Sequence, residues 1–201
     1  MRKPSDFITA AVRNVQNRYM ADSAATLTCG ASCAKVTRAA SVRRGEDEVS
    51  GDAPAETARV LALASDFPTV TKGDVATLDG DTRIVTSVRV DCFGASCYVG
   101  LSDSLTVRTA SVFGHRGQRL IRFPVELLAL DNGLANDVTD GYAPTTVRAW
   151  TLVTAVDAWP ENEWPQIGDE LRFEKDGEDV RVKVARCDRR AKHYIVSARS
   201  R

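Results

Sequence analysis

One passage of this 201-residue chain occurs twice, and that repeat limits the possible folds more than any other feature. The first copy reads R-V-L-A-L-A-S-D-F-P from Arg59, then Gly73-Asp74, Asp79-Gly80, Val88-Arg89 and Tyr98-Val99. The second reads V-R-A-W-T-L-V-T-A-V from Val147, then Trp164-Pro165, Gly168-Asp169, Asp176-Gly177, Val184-Ala185-Arg186 and Tyr194-Ile195. Gly73 to Tyr98 spans 25 positions and Gly168 to Tyr194 spans 26. A Gly-Asp pair turns the chain into a strand, and Asp-Gly supplies the positive φ angles of a tight hairpin. A final Tyr strand then closes a small twisted sheet. Two unrelated hairpins would share the turn chemistry, but the common order and near-equal spacing favour duplication. The Gly-to-Gly distance of 7 in the first hairpin and 9 in the second requires an indel.

Composition agrees with β structure. Val (23) and Thr (17) make 40 of 201 residues, and branched side chains suit a pleated surface. The expected fold is therefore mainly β. An N-terminal amphipathic helix precedes two small, repeat-related twisted β-barrel or sandwich modules, with a long mobile loop in the first. The expected domains are residues 1–102, a β-rich insertion or connector at 103–145, and a second barrel at 146–201.

Residues 5–20 read as the helix, capped by Ser5 or Asp6, with Phe7, Ile8, Ala11, Val12, Val15 and Tyr19 along one side. That stripe must pack on its own barrel or on a neighbouring subunit. Ala24–Thr28, Lys35–Val42, Arg59–Ser65, Val75–Leu78, Thr82–Val90 and Cys97–Leu101 read as strands, as do Leu105–Phe113 and Arg119–Phe123. Residues 43–57 contain five acids, two Gly and a Pro with almost no large apolar residue, which predicts a long loop. The Gly/Asn/Asp-rich stretch Asp131–Gly141 reads as a second loop.

The chemistry of an enzyme is not apparent. Cys29, Cys33, Cys92 and Cys97 are weak candidates for a metal, because their spacings are looser than the usual two intervening residues. Free thiols are the favoured reading, and no cofactor is expected. His115 and His193 have no i, i+4 partner, and Gly114 and Gly117 beside His115 read as turn residues. No phosphate-cradling glycine loop occurs, and nothing converges on a nucleophile or an acid/base pair. Trp150 lies on an alternating strand and reads as core, whereas Trp159 and Trp164 flank Glu161-Asn162-Glu163 and read as interface anchors. The absence of a run of about 18 apolar residues argues against a membrane partner, and the N-terminus does not read as a secretory signal.

The first hundred residues resemble the phage head–tail joining (head-completion) proteins, lambda-like. The helix ending Arg18-Tyr19-Met20, the Ala24–Thr28 strand and the acidic loop 43–57 carry the resemblance. Lys72-Gly73-Asp74 ahead of a strand and the Ile84–Arg89 strand leading to Cys97-Tyr98-Val99-Gly100-Leu101 complete it. The resemblance covers about half the chain, and the C-terminal half is an extension relative to small family members. It implies a structural virion protein of the neck, made in the host bacterial cytoplasm. The implied partners are further copies in a ring of 6 or 12, a portal or adaptor protein, a tail-terminator or tail tube protein, and packaged DNA in the channel.

The alternatives are a tandem small-barrel module for single-stranded nucleic acid, or a tail-terminator or baseplate component. An aromatic content of only 6% and the lack of an aromatic platform weigh against the nucleic-acid module.

Charge is balanced at 27 basic against 27 acidic residues, but unevenly placed. Residues 157–179 hold nine acids against Arg172 and Lys175, while 180–201 hold eight bases against Asp188. Opposed patches suit subunits that meet unlike surfaces. The expected interface residues are Phe7, Ile8, Val12, Arg43, Arg44, Glu46, Asp47, Glu48, Asp52, Trp159, Trp164, Arg189 and Arg190. Gly73, Asp74, Asp79, Gly80, Gly168, Asp169, Asp176 and Gly177 are the expected structural turns.

Overall fold

The computed structural model describes residues 6–11, 14, 24–39, 54–137 and 145–200. It is mainly β, with twelve strands in two compact units, the strands before Ser104 in the first and those after Leu105 in the second. Residues 6–11 and 14 are helical; the remainder of the expected helix, Val12, Val15 and Tyr19 included, lies outside the described residues. So do Arg43, Arg44, Glu46, Asp47, Glu48 and Asp52 of the acidic loop.

The first unit contains β1 (Ala24–Cys29), β2 (Ser32–Ala39), β3 (Ala58–Leu63), β4 (Val75–Leu78), β5 (Asp81–Val90) and β6 (Ser96–Leu101). These close into a barrel in the order β1-β2-β3-β6-β5-β4. Inward residues alternate along the strands, as a half-buried sheet demands, and Leu27, Val36, Val60, Val85, Val99 and Leu101 fill the interior.

The second unit contains β7 (Thr106–Arg116), β8 (Arg119–Asp137), β9 (Thr145–Ala155), β10 (Glu170–Lys175), β11 (Glu178–Arg189) and β12 (His193–Ser200). A 3-10 turn at Val156–Ala158 follows β9. Traced from β7, this barrel closes as β7-β8-β9-β12-β11-β10, the order of the first barrel strand for strand.

The repeat is therefore a whole barrel. Residues 103–145 are not a connector: they supply β7 and β8, the counterparts of β1 and β2. Nor does β8 stop at Phe123 before a loop. It continues to Asp137 with a register shift between Asp131 and Gly133, where Asp131 Oδ1 accepts the Gly133 N–H at 3.0 Å. Residues that resemble loop chemistry here serve a β-bulge.

The repeated turns act identically in each barrel. Asp79 and Gly80 (φ 52° and 97°) and Asp176 and Gly177 (φ 53° and 85°) both take the two positive φ values of a tight hairpin. Gly73 donates to the Val85 carbonyl at 2.7 Å while Val85 donates to Asp74 at 2.8 Å. Gly168, Val184 and Asp169 repeat that exchange, both at 2.8 Å. A bulge follows in each case, between Val85 and Ser87 and between Val184 and Arg186.

Candidate functional site

The second barrel carries the denser polar architecture, because two of its hairpins outgrow their counterparts. Hairpin β7–β8 pairs on from Val112 opposite Phe123 to Arg116 opposite Arg119, whereas β1–β2 turns directly after Cys29 opposite Ser32. This extension brings Arg116 to the Gly-Asp turn. Arg116 Nη1 and Nη2 donate to the two Asp169 carboxylate oxygens at 2.8 and 3.0 Å. Its Nε donates to Glu163 at 3.0 Å, and Nη2 also donates to the Trp164 carbonyl at 2.9 Å. Arg119 reaches the other Glu163 oxygen at 2.6 Å.

Asp169 is almost fully buried, with its side chain 3% exposed, so a planar, bidentate cation is the partner its desolvated charge requires. Gly114 makes room for it: a Cβ there would stand 2.2 Å from Asp169 Oδ1. Gly114 is thus a strand residue at a close approach, not a turn residue; of the two glycines only Gly117 turns the chain (φ 62°).

A second network surrounds Trp150. Its ring lies 5.2 Å from Lys175 Nζ and 6.0 Å from the Arg148 guanidinium, and meets Phe173 edge-on at 5.2 Å. Both cations pair with Asp131, Lys175 Nζ at 2.7 Å and Arg148 Nη2 at 2.7 Å. Burial pushes the Asp131 carboxyl up, but Lys175, the Gly133 N–H and Arg148 together outweigh it and hold the carboxyl below its ordinary range. A lowered folded pKa adds stability above the unfolded value of about 3.9, lost as pH falls through the lower folded value. The urea midpoint of the second barrel is therefore expected to fall as the pH drops below about 4. Asp131→Asn should flatten that slope, and an unchanged slope would remove Asp131 as its source.

The tryptophan assignments divide. Trp150 is core, 3% exposed. Trp159 is not an interface anchor: it is 6% exposed and packs edge-on against Phe123 at 5.3 Å and Tyr194 at 6.4 Å. Its indole N–H donates to Thr154 Oγ1 at 3.1 Å, so both its apolar body and its polar tip are satisfied inside. Trp164 is 48% exposed, on the same irregular segment as the 77% exposed Ile167. Arg189 is exposed, Arg190 and Ile8 are half-buried, and Phe7 is 78% exposed.

The opposed charge blocks are less separate than the sequence implies. They adjoin in one hairpin, β10–β11, where Arg181 pairs across the boundary with Asp179, while Arg172 with Glu170 and Arg186 with Asp188 pair inside their own blocks.

In the first barrel, Glu56 of the acidic loop is packed. Arg59 Nε donates to it at 2.8 Å and Ser87 Oγ at 2.7 Å, above the bare backbone of Gly100. Asp91 organises the β5–β6 loop, accepting from the Phe93, Ala95 and Ser96 N–H groups and the Ser96 hydroxyl. Ser96 leads these bonds in holding the Asp91 carboxyl down at about 2.

Cys29 and Cys97 are buried, whereas Cys33 and Cys92 are exposed. Burial, with the charge of Asp74, pushes the Cys29 thiol up to about 11. Burial also raises Cys97, helped by Asp66 and Asp91. Among the described residues no three metal-ligating side chains come together. Among the described residues no helix is long and apolar enough to cross a membrane.

Neither a protein-family model nor a curated protein matches the sequence. Among solved structures, the chain is similar to MrkH, described as a c-di-GMP-dependent transcription regulatory factor, at 8% identity over 98% of this chain and 83% of that one. The TM-score is 0.25, too loose a superposition to carry an argument.

Proposed function

We propose that the protein is a structural component of a phage neck, acting in head closure or tail attachment as one subunit of a ring between portal or adaptor and tail. The observation that supports this reading is where the segments that resemble head–tail joining proteins fall. The Ala24–Thr28 segment is on β1, Lys72-Gly73-Asp74 leads into β4, Ile84–Arg89 is on β5 and Cys97–Leu101 is on β6. All belong to one closed barrel, and a second barrel of the same strand order follows it. In this reading the protein works by docking, not by catalysis. The first barrel joins, the second adds another docking layer, and Phe7, Trp164 and Arg189 are contact residues on exposed surface.

Gold labelling of the protein in phage particles tests the reading: label at the head–tail vertex is expected, and label elsewhere rejects it. Trp164→Ala is expected to lower the yield of tailed, infectious particles at least about tenfold, as truncation of an aromatic anchor does. An unchanged titre would remove Trp164 as a contact residue.

A further inference from the structure

The last hairpins of the two barrels, β5–β6 and β11–β12, correspond position by position. Val85 and Val184 make the same exchange with their Gly-Asp turns, and each immediately precedes a bulge. From that anchor Arg181 corresponds to Thr82, Lys183 to Ile84 and Arg186 to Ser87. Arg199, opposite Lys183, corresponds to Ser102, whose N–H donates to the Ile84 carbonyl at 2.9 Å. Four neutral positions of the first barrel are thus cationic in the second. The turns differ in the same sense: residues 90–102 contain no base, whereas Arg189, Arg190 and Lys192 lie where β11 passes into β12. In all, residues 181–200 hold seven bases against Asp188 alone. A barrel of this strand order closes without those cations, so packing does not account for them.

The same side of the sheet carries them. Val182 and Val184 belong to the core, so Arg181 and Lys183 point outward, about 6.6 Å apart as alternate residues of a strand. Past the bulge, Cys187 packs on the core opposite the buried Val196, which turns Arg186 outward too. The Arg181 and Arg186 side chains are 61% and 69% exposed. Their bonds to Asp179 and Asp188, at 3.0 and 3.1 Å, are exposed pairs of the kind that hold a cation only weakly. Lys183, Arg189 and Lys192 are exposed and have no ion-pair partner among the described residues. Glu170, opposite Lys183 on β10, is taken by Arg172. Tyr194, the one Phe, Tyr or Trp of this hairpin, is buried.

We propose that the outward face of hairpin β11–β12 binds the phosphate backbone of double-stranded nucleic acid, without regard to sequence. Charge complementarity selects the ligand. Lysine and arginine on phosphates release condensed counterions, and the planar arginine fork suits a phosphate oxygen pair. An acidic protein fits less well, because a protein interface needs an apolar centre. Ile195 is the one large apolar residue on this face, beside the small Ala185 and Ser197, and it is only half-exposed. A single strand fits less well again, since its unpaired bases require exposed aromatic rings to stack on. What the face offers is positive charge at strand spacing, which positions a backbone and reads no base. This assignment does not rest on the neck reading and can fail without it.

The test is fluorescence anisotropy of a labelled 20-base-pair DNA duplex titrated with the full chain. Saturable binding is expected, equal for two unrelated sequences and at least about a hundredfold weaker at 200 mM than at 50 mM salt, as contact with four or more phosphates requires. Lys183→Gln/Arg189→Gln/Lys192→Gln should weaken binding at least tenfold and lower the salt slope by about three. Lys183→Arg/Arg189→Lys/Lys192→Arg keeps the charge and should bind within threefold of the parent. Lys35→Gln/Arg89→Gln, which removes two exposed cations of the first barrel, should leave binding unchanged. An unaltered urea midpoint of the glutamine triple variant shows that it folds; if it does not fold, the two single variants Lys183→Gln and Lys192→Gln, each expected to lower the slope by about one, decide instead. No binding, equal loss in the first-barrel variant, tighter binding of a single-stranded 20-mer, or equal competition by polyglutamate would overturn the proposal.

Discussion

Gly114→Ala is expected to destabilise the second barrel by about 3–5 kcal/mol, the range for breaking a buried ion pair. The added Cβ would stand 2.2 Å from Asp169 Oδ1 and 2.9 Å from its Cγ, a distance no neighbour tolerates unmoved. Asp169 has nowhere to go. Its side chain is short, 3% exposed, and fixed by two Arg116 bonds and by the Gln166 N–H at 2.9 Å. Displacing it leaves a carboxylate and a guanidinium desolvated without their partners. All three tryptophans lie in this barrel, so urea denaturation followed by their fluorescence reports it alone.

The companion variant in the first barrel sets the scale. Gly100→Ala would place a Cβ 2.1 Å from Glu56 Oε2, a nominally worse clash. However, Glu56 is longer, stands outside regular structure and is 18% exposed, so its carboxylate can swing toward water. A cost of about 1–2 kcal/mol is expected, the ordinary size of a single-site effect. If Gly100→Ala proved the more damaging, burial and confinement would not be what decides these two sites.

These two glycines also show what the sequence could reveal. Asp79-Gly80 and Asp176-Gly177 were readable because a two-residue hairpin places its demand on the turn residues themselves. The same locality exposed half of the repeat, β3–β6 against β9–β12. It missed β7–β8 as the counterpart of β1–β2, because those strands share only an alternating pattern and differ in length. Gly114 resembled a turn residue because the reason for it, Asp169, lies 55 positions away. Arg116 and Glu163 were missed for the same cause, since no local spacing links a strand end to an irregular segment 47 positions on. Glu56 was counted with a solvated loop, although the arginine that holds it is only three residues away. That i, i+3 pair was the one available signal.

Trp159→Ala and Trp164→Ala should have opposite consequences, although the two residues are five apart and both precede a proline. Trp159 joins Phe123 of β8 to Tyr194 of β12, at interplanar angles of 83° and 75°, across the core of the second barrel. Its truncation is expected to cost about 3–5 kcal/mol, as for other buried aromatics cut to alanine, and to abolish the native fluorescence transition. Trp159→Phe keeps an aromatic body and loses only the bond to Thr154. Because Thr154 Oγ1 still donates to the Glu126 carbonyl at 3.0 Å, that variant is expected to cost about 1–2 kcal/mol. Trp164→Ala removes a half-exposed ring whose backbone carbonyl, not its side chain, holds Arg116. Its effect on the urea midpoint should stay within about 0.5 kcal/mol. Equal destabilisation by the two alanine variants would mean that Trp164 is a core residue, and would remove it from the exposed surface on which the docking reading depends.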